Sequence, residues 1–192
     1  MSQRMFVAVV PPPPLREHLA QFLEPREGMP WITPEQWHLT LAFLGSVPDA
    51  ALDDLVGRLG DATRRRRQFE LSLRGAGAFP DPSRAKVLWL AAAGASEDLD
   101  ELVQLALNAR SAANAAGATP DGKAFRAHLT LARLKRPIGA TKWLRILDTY
   151  EGPHWVVNEV ELIASYLHEG PKRRPRYETV ETFPLHARVE LG

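Results

Sequence analysis

The pentapeptide His-Leu-Thr-Leu-Ala occurs twice in this chain, beginning at His38 and again at His128, although the chain has only six histidines. A repeat at this distance marks a duplicated structural unit rather than a solenoid, whose period is shorter. It constrains the fold, because two equivalent elements must each present His and Thr in the same way. In a strand, residues i and i+2 share a face. His38, Thr40 and Ala42 then point one way, and Leu39, Leu41 and Phe43 the other. In the second copy His128, Thr130 and Ala132 oppose Leu129 and Leu131, with Arg133 a departure on the apolar side. Each strand gains an oily face for packing and a small polar face.

The surrounding pattern predicts what these strands pack with. Arg4–Val10 is apolar and β-branched and reads as a buried strand before the prolines at 11–14. Leu15, Leu19, Phe22 and Leu23 have helical spacing, and Pro14 suits a helix start. A second amphipathic helix carries Leu52, Leu55, Val56 and Leu59. Strands follow at 68–79 and 85–93, then a helix from Ser96, the expected N-cap, to Gly117. A strand with the second motif, a short helix over 139–150 and a strand pair, 154–170 with 176–191, complete the chain. Helices and strands mix without strict alternation, which predicts an α+β fold with mainly antiparallel sheets and outer helices. No linker or composition break divides the 192 residues. The expectation is one domain over 1–192, made of two lobes related by a pseudo-twofold axis around a central cleft.

Two imidazoles and two hydroxyls facing one cleft suit a particular chemistry. A neutral imidazole takes a proton from water, and a protonated one gives a proton to a leaving oxygen. Threonine hydroxyls can hold phosphate oxygens. Several other classes lack their groups. There is no cysteine, hence no thiol nucleophile and no thiolate metal site. Two histidines fall short of a zinc ligand set, and Glu35, close to His38, sits in a turn-like segment and reads as solvated. No G-x-S-x-G elbow accompanies a serine, and the glycines around Gly75 make no phosphate loop. Net charge is +1, so any contact with nucleic acid must be local. No apolar run is long enough to span a bilayer, and the expected location is the cytoplasm. A repeat that is only architectural remains the alternative at this point.

The two motifs, with "WITPEQWHLTLAFLG", "GAGAFPDPSRAKVLWL", "FRAHLTLARL" and "VELIASYLHEGPKRRPRYETVETFPL" in this order, resemble the 2H phosphoesterase superfamily. The branch resembled is that of the bacterial and archaeal RNA 2′,3′-cyclic phosphodiesterases, the LigT/ThpR-like proteins also called 2′-5′ RNA ligases. The resemblance runs from Arg4 to about Leu185. It implies the bilobal LigT-like fold and hydrolysis of a 2′,3′-cyclic phosphate to a 2′-phosphate without metal or cofactor. It implies His38 as proton donor, His128 as proton acceptor, and Thr40 and Thr130 as phosphate ligands. The implied substrates are RNA ends or small cyclic nucleotides. Separately, the expectation is a monomer with no membrane or obligate protein partner. Reversible 2′-5′ ligation, and a binding module without chemistry, are the competing functions. The family often has Pro before the second His, and here Ala127 stands there.

Further candidates attach to the same site. Arg133 can neutralise phosphate charge or be a surface cation. Arg126, two before His128, shares its face. Phe43 or Trp37 could stack on a base, although alternation puts Phe43 on the apolar side. Tyr177 resembles a recurring family position and borders the cleft. The basic run Lys172–Arg176 can follow an RNA backbone or simply solvate a hairpin tip. The arginines at 64–67, and His18, His154, His168 and His186, read as structural.

Overall fold

The computed structural model describes residues 1–170 and 174–187. Its strands are β1 (Ser2–Val9), β2 (Leu39–Pro48), β3 (Phe69–Phe79), β4 (Ala85–Ala93), β5 (His128–Ile138), β6 (Trp155–Val157), β7 (Glu159–Tyr166) and β8 (Arg176–Pro184). Its helices are α1 (Pro13–Leu23), α2 (Leu52–Thr63), α3 (Ser96–Ala115) and α4 (Thr141–Leu147). The fold is α+β, as predicted. The strands join in the order β6-β3-β4-β5-β2-β1-β7-β8, and every pair of them is antiparallel.

One face of the sheet carries the main core. Leu39, Leu41, Leu88, Leu90, Leu129 and Leu131 meet Leu15 and Leu19 of α1, Leu55 and Leu59 of α2, Leu102 and Leu105 of α3, and Leu147 of α4. Burying one such leucine is worth roughly 1.5–3 kcal/mol, so the apolar stripes of all four helices are drawn to this face. On the opposite face the described residues include a small buried cluster of Phe6, Ala8 and Ile163, flanked by Val10, Phe43 and Tyr177. That sparsely covered face is where the polar residues of the motifs stand.

The order of strands reflects the duplication. β2 and β5, the two motif strands, are the central neighbours, and they touch through one registered pair, Leu39 with Leu129. Each has its long partner on the outer side, β1 for β2 and β4 for β5. The segments preceding the motifs cross over. The Ile32 N–H donates to the Leu131 carbonyl at 2.7 Å, and the Asp121 N–H donates to the Phe43 carbonyl at 3.0 Å. The approach to each motif is therefore fastened to the strand of the other.

Three expectations need correction. Residues 154–170 do not form one strand, because the chain changes partners at Asn158. β6 pairs with β3 at one edge, whereas β7 lies between β1 and β8. Ser96 is not the N-cap of α3. Ala95 holds that position without a side-chain bond, and Glu97 and Asp98 in the first turn suit the helix dipole instead. Ala42 and Ala132 do not lie on the polar face. Both are fully buried in the main core. The cause is a one-residue bulge in each motif strand. Val7 and Ala8 are consecutive but pair with Ala42 and Thr40, leaving Leu41 extra. Leu88 and Trp89 pair with Ala132 and Thr130, leaving Leu131 extra. A bulge resets the alternation of faces, and the same reset occurs at the same place in both copies.

The arginines after α2 are structural, as expected, but through ion pairs rather than the helix end alone. Arg66 reaches Glu101 at 3.7 Å, and Arg67 reaches Asp98 at 3.5 Å, tying α2 to α3. His18 meets the Tyr150 hydroxyl at 3.1 Å, and His154 meets Glu70 at 3.0 Å, both away from the motifs.

Candidate functional site

The site begins with two imidazoles held in the same way. His38 Nδ1 lies 2.8 Å from the carbonyl oxygen of Gln36. His128 Nδ1 lies 2.6 Å from the carbonyl oxygen of Arg126. A carbonyl only accepts, so each Nδ1 carries a proton and donates it. That fixes the tautomer and leaves Nε2 as the nitrogen free to take or give a proton. At the Leu39–Leu129 register, the residue before one leucine lies opposite the residue after the other. His38 therefore stands beside Thr130, and His128 beside Thr40. Among the described residues, neither threonine hydroxyl has a hydrogen-bond partner.

Aromatic rings wall both histidines. His38 stacks on Phe6 with ring centroids 4.4 Å apart and planes 24° apart, and it meets the edge of Tyr177 at 5.6 Å. His128 meets Phe79 edge-on at 5.0 Å and Trp89 at 5.8 Å. Burial disfavours the charged imidazole. It lowers the pKa of His38 from 6.5 to about 4, against the opposing bond to Gln36, with smaller downward pushes from Arg133 and His128. His128 is lowered too, first by burial and then by the charges of Arg133 and Arg126, against the bond to its Arg126 carbonyl. His38 retains some open surface, but its ring is enclosed by Phe6 and Tyr177, and that enclosure governs its titration. Both imidazoles are neutral at pH 7 in the free protein.

The bulges decide which other side chains arrive. After Leu41 the alternation resets, so Phe43 pairs with Phe6 and stands on the site face, not on the apolar face that simple alternation assigned to it. After Leu131 the same reset turns Arg133, paired with Val87, onto that face. Arg133 is exposed, and its charge acts on His38, His128 and Tyr177 together. Arg126 also belongs to the group, with its guanidinium 5.7 Å from the ring of Phe79. Trp37 does not belong to it. It is 3% exposed in the main core, which rules it out as a surface for a base.

Among the contributors that escaped sequence reasoning are Gln36 and Arg4. Gln36 holds His38 through its carbonyl, while its side-chain Nε2 donates to the Pro175 carbonyl at 2.6 Å. This bond ties the turn before the first motif to the segment that carries Tyr177. Arg4 lies with its guanidinium 4.4 Å from the ring of Phe43, two residues along β1 from Phe6. The i, i+2 relation of Arg4 to Phe6 was the available signal, but only the register reveals which face it reaches.

A groove of about 650 Å³ opens beside His38, lined in part by Trp31, Gln36, Arg174, Arg176 and Tyr177. Its cations are already engaged. Arg174 donates to the Trp31 carbonyl at 3.2 Å, and Arg176 pairs with Glu178 at 2.8 Å and Glu169 at 3.0 Å. Lys172 and Arg173, the rest of the basic run, lie outside the described residues. Glu35 is exposed, as expected. Among the described residues no three His, Asp or Glu side chains gather into a metal-binding group, and no helix is long and apolar enough to cross a membrane.

The chain is similar in sequence and fold to known proteins. The family profile described as LigT like Phosphoesterase matches residues 9–89, a stretch that includes the first motif. The RNA 2′,3′-cyclic phosphodiesterase of Aquifex aeolicus (strain VF5) is 32% identical over 158 residues, covering 81% of each chain. The protein of the same name from Escherichia coli (strain K12) is 32% identical over 190 residues, covering 95% of this chain and 97% of its own. The crystal structure of E. coli LigT complexed with 3′-AMP has a TM-score of 0.75 at 28% identity, covering 96% of this chain and 99% of that one.

Proposed function

The chain belongs to the LigT-like phosphoesterase family, and on that premise we propose that it hydrolyses the 2′,3′-cyclic phosphate at RNA ends to a 2′-phosphate. The observation that carries the reading is the matched pair of imidazoles, each with Nδ1 given to a backbone carbonyl, at the junction of β2 and β5. Relatives named RNA 2′,3′-cyclic phosphodiesterase support this choice of substrate.

The chemistry follows from the groups. Nε2 of His128 removes a proton from water as the water oxygen bonds to phosphorus. The bond from phosphorus to the 3′ oxygen breaks, and protonated His38 delivers a proton to that oxygen. Thr40 and Thr130 donate to the non-bridging oxygens, and Arg133 offsets their charge. The diester arrives with a negative charge, which favours a protonated imidazole beside it. Substrate binding thus supplies the charged form of His38 that burial suppresses in the free protein. The stacked face of Phe6 favours an imidazolium in the same direction. Arg126, Phe43 and Tyr177 border the nucleoside.

In this reading residues 1–192 act as one domain, its two lobes being the halves of the sheet on either side of the Leu39–Leu129 pair. The chain works as a monomer in the cytoplasm, on RNA ends or small cyclic nucleotides, with the reaction carried by its own side chains. The test is to incubate it with an RNA ending in a 2′,3′-cyclic phosphate, in excess chelator, and to locate the phosphate in the product. A 2′-phosphate is expected. A 3′-phosphate, or turnover abolished by the chelator, overturns the reading.

A further inference from the structure

The two histidines are equivalent by sequence, but their walls are not. The residue paired with Thr40 on the outer strand is Ala8, and the residue paired with Thr130 is Trp89. This tryptophan stands on the site face, away from the helix-covered core. Its indole touches both His128 and Phe79, with centroids at 5.8 and 5.2 Å, and Phe79 touches His128 in turn. Its Nε1–H is buried and has no hydrogen-bond partner among the described residues.

Room for the indole comes from the next strand. Gly77 pairs with Trp89 across β3 and β4. A Cβ built on Gly77 would lie 2.0 Å from Cζ2 and 2.2 Å from Cη2 of Trp89, so no other residue fits while the ring stays in place. Glycine in the middle of a strand weakens it, and it often marks a close approach. Here β3 accepts that cost and seats the indole, its N–H unanswered, against His128. Among the described residues the Trp37 indole before His38 also lacks a partner, but it lies in the helix-covered core and not on the site face.

We propose that Trp89, seated in the space left by Gly77, is a positioning residue for His128, fixing its ring plane and keeping water from its inner edge. The inference rests on His128 being a proton-transferring group. It accounts for the inequality of the two imidazoles, since His38 lies flat on Phe6 while His128 lies against the touching rings of Phe79 and Trp89. The charged groups acting on His128 are Arg126 before β5 and Arg133 on β5, and the titratable group across the junction is His38 of β2, on which His128 acts in turn. None of them is altered by changing Trp89.

Trp89→Leu, Trp89→Phe and Gly77→Ala test this. The titration of the His128 ring is followed by NMR in the free protein, assigned with His128→Ala, and kcat and KM are measured on a 2′,3′-cyclic nucleotide. Trp89→Leu and Gly77→Ala should move the His128 midpoint toward its ordinary value. They should lower kcat about tenfold with KM little changed, as expected for a misplaced reacting group. Trp89→Phe should retain the parental midpoint. An unchanged midpoint in Trp89→Leu overturns the proposal, and that variant decides alone if Gly77→Ala does not fold. A parent that leaves the cyclic nucleotide intact, while His128 still shifts in the variants, counts against the proposed function and not against the role of Trp89.

Discussion

Leu39 pairs with Leu129, and this one contact is the whole registered junction between β2 and β5. Each leucine follows a motif histidine, so the junction sets each imidazole beside the other copy's threonine. Neither half of the sheet holds a complete set of groups. A proton donor and a proton acceptor that act in one displacement behave as a unit, and their losses do not add. His38→Ala and His128→Ala are each expected to lower kcat/KM by at least ~10²-fold. The double variant should fall little further. Losses that multiply would show two histidines acting independently.

The lowered pKa values of His38 and His128 yield a pH prediction. The dependence of kcat/KM reports the free enzyme, and that of kcat the bound complex. In the free protein both imidazoles titrate below their ordinary 6.5. A bound phosphodiester anion favours their charged forms and raises both. The kcat profile should therefore lie at higher pH than the kcat/KM profile. Superimposable profiles would mean that the anion does not sit beside the imidazoles.

His38 also links stability to pH. The unfolded chain protonates it near 6.5, whereas the folded chain keeps it neutral down to about 4. Between those values the unfolded state binds more protons, so His38 contributes stability that is full above 6.5 and is lost as pH falls toward 4. The Tm of the parent should drop more between pH 7 and pH 4.5 than that of His38→Gln. Equal slopes would show that the imidazole is already solvated in the folded state.

Much of this fold was legible, and the exceptions have physical causes. Alternation and helical spacing located the elements because burial of leucine dominates both patterns. The bulges at Leu41 and Leu131 carry no Gly or Pro to announce them. Yet they decide that Ala42 and Ala132 turn inward and that Phe43 and Arg133 turn to the site. The change of partner at Asn158 is hidden because "WVVNEVELIASY" reads as one continuous strand. The face shared by each motif's histidine and threonine was legible because they precede the bulge, where simple alternation holds. Trp89 and Gly77 were not, because their relation exists only through the register of β3 and β4.

Arg133 is the side chain whose site position depends most on a bulge. Its charge reaches both imidazoles and Tyr177. Arg133→Gln should raise KM roughly tenfold or more, the scale of one lost hydrogen bond to a charged group. It should also move the kcat/KM profile to higher pH by removing a cation from beside both histidines. A profile that moves while KM stays constant would mean that Arg133 tunes the imidazoles without touching the phosphate.

The central claim is that one phosphate lies between Nε2 of His38 and Nε2 of His128. Nitrogen-15 NMR of the histidine side chains during titration with a nucleoside 2′-phosphate addresses it directly. Both Nε2 signals should shift together toward the protonated form and follow one binding curve. Movement of a single imidazole, or two curves with different midpoints, would contradict the claim.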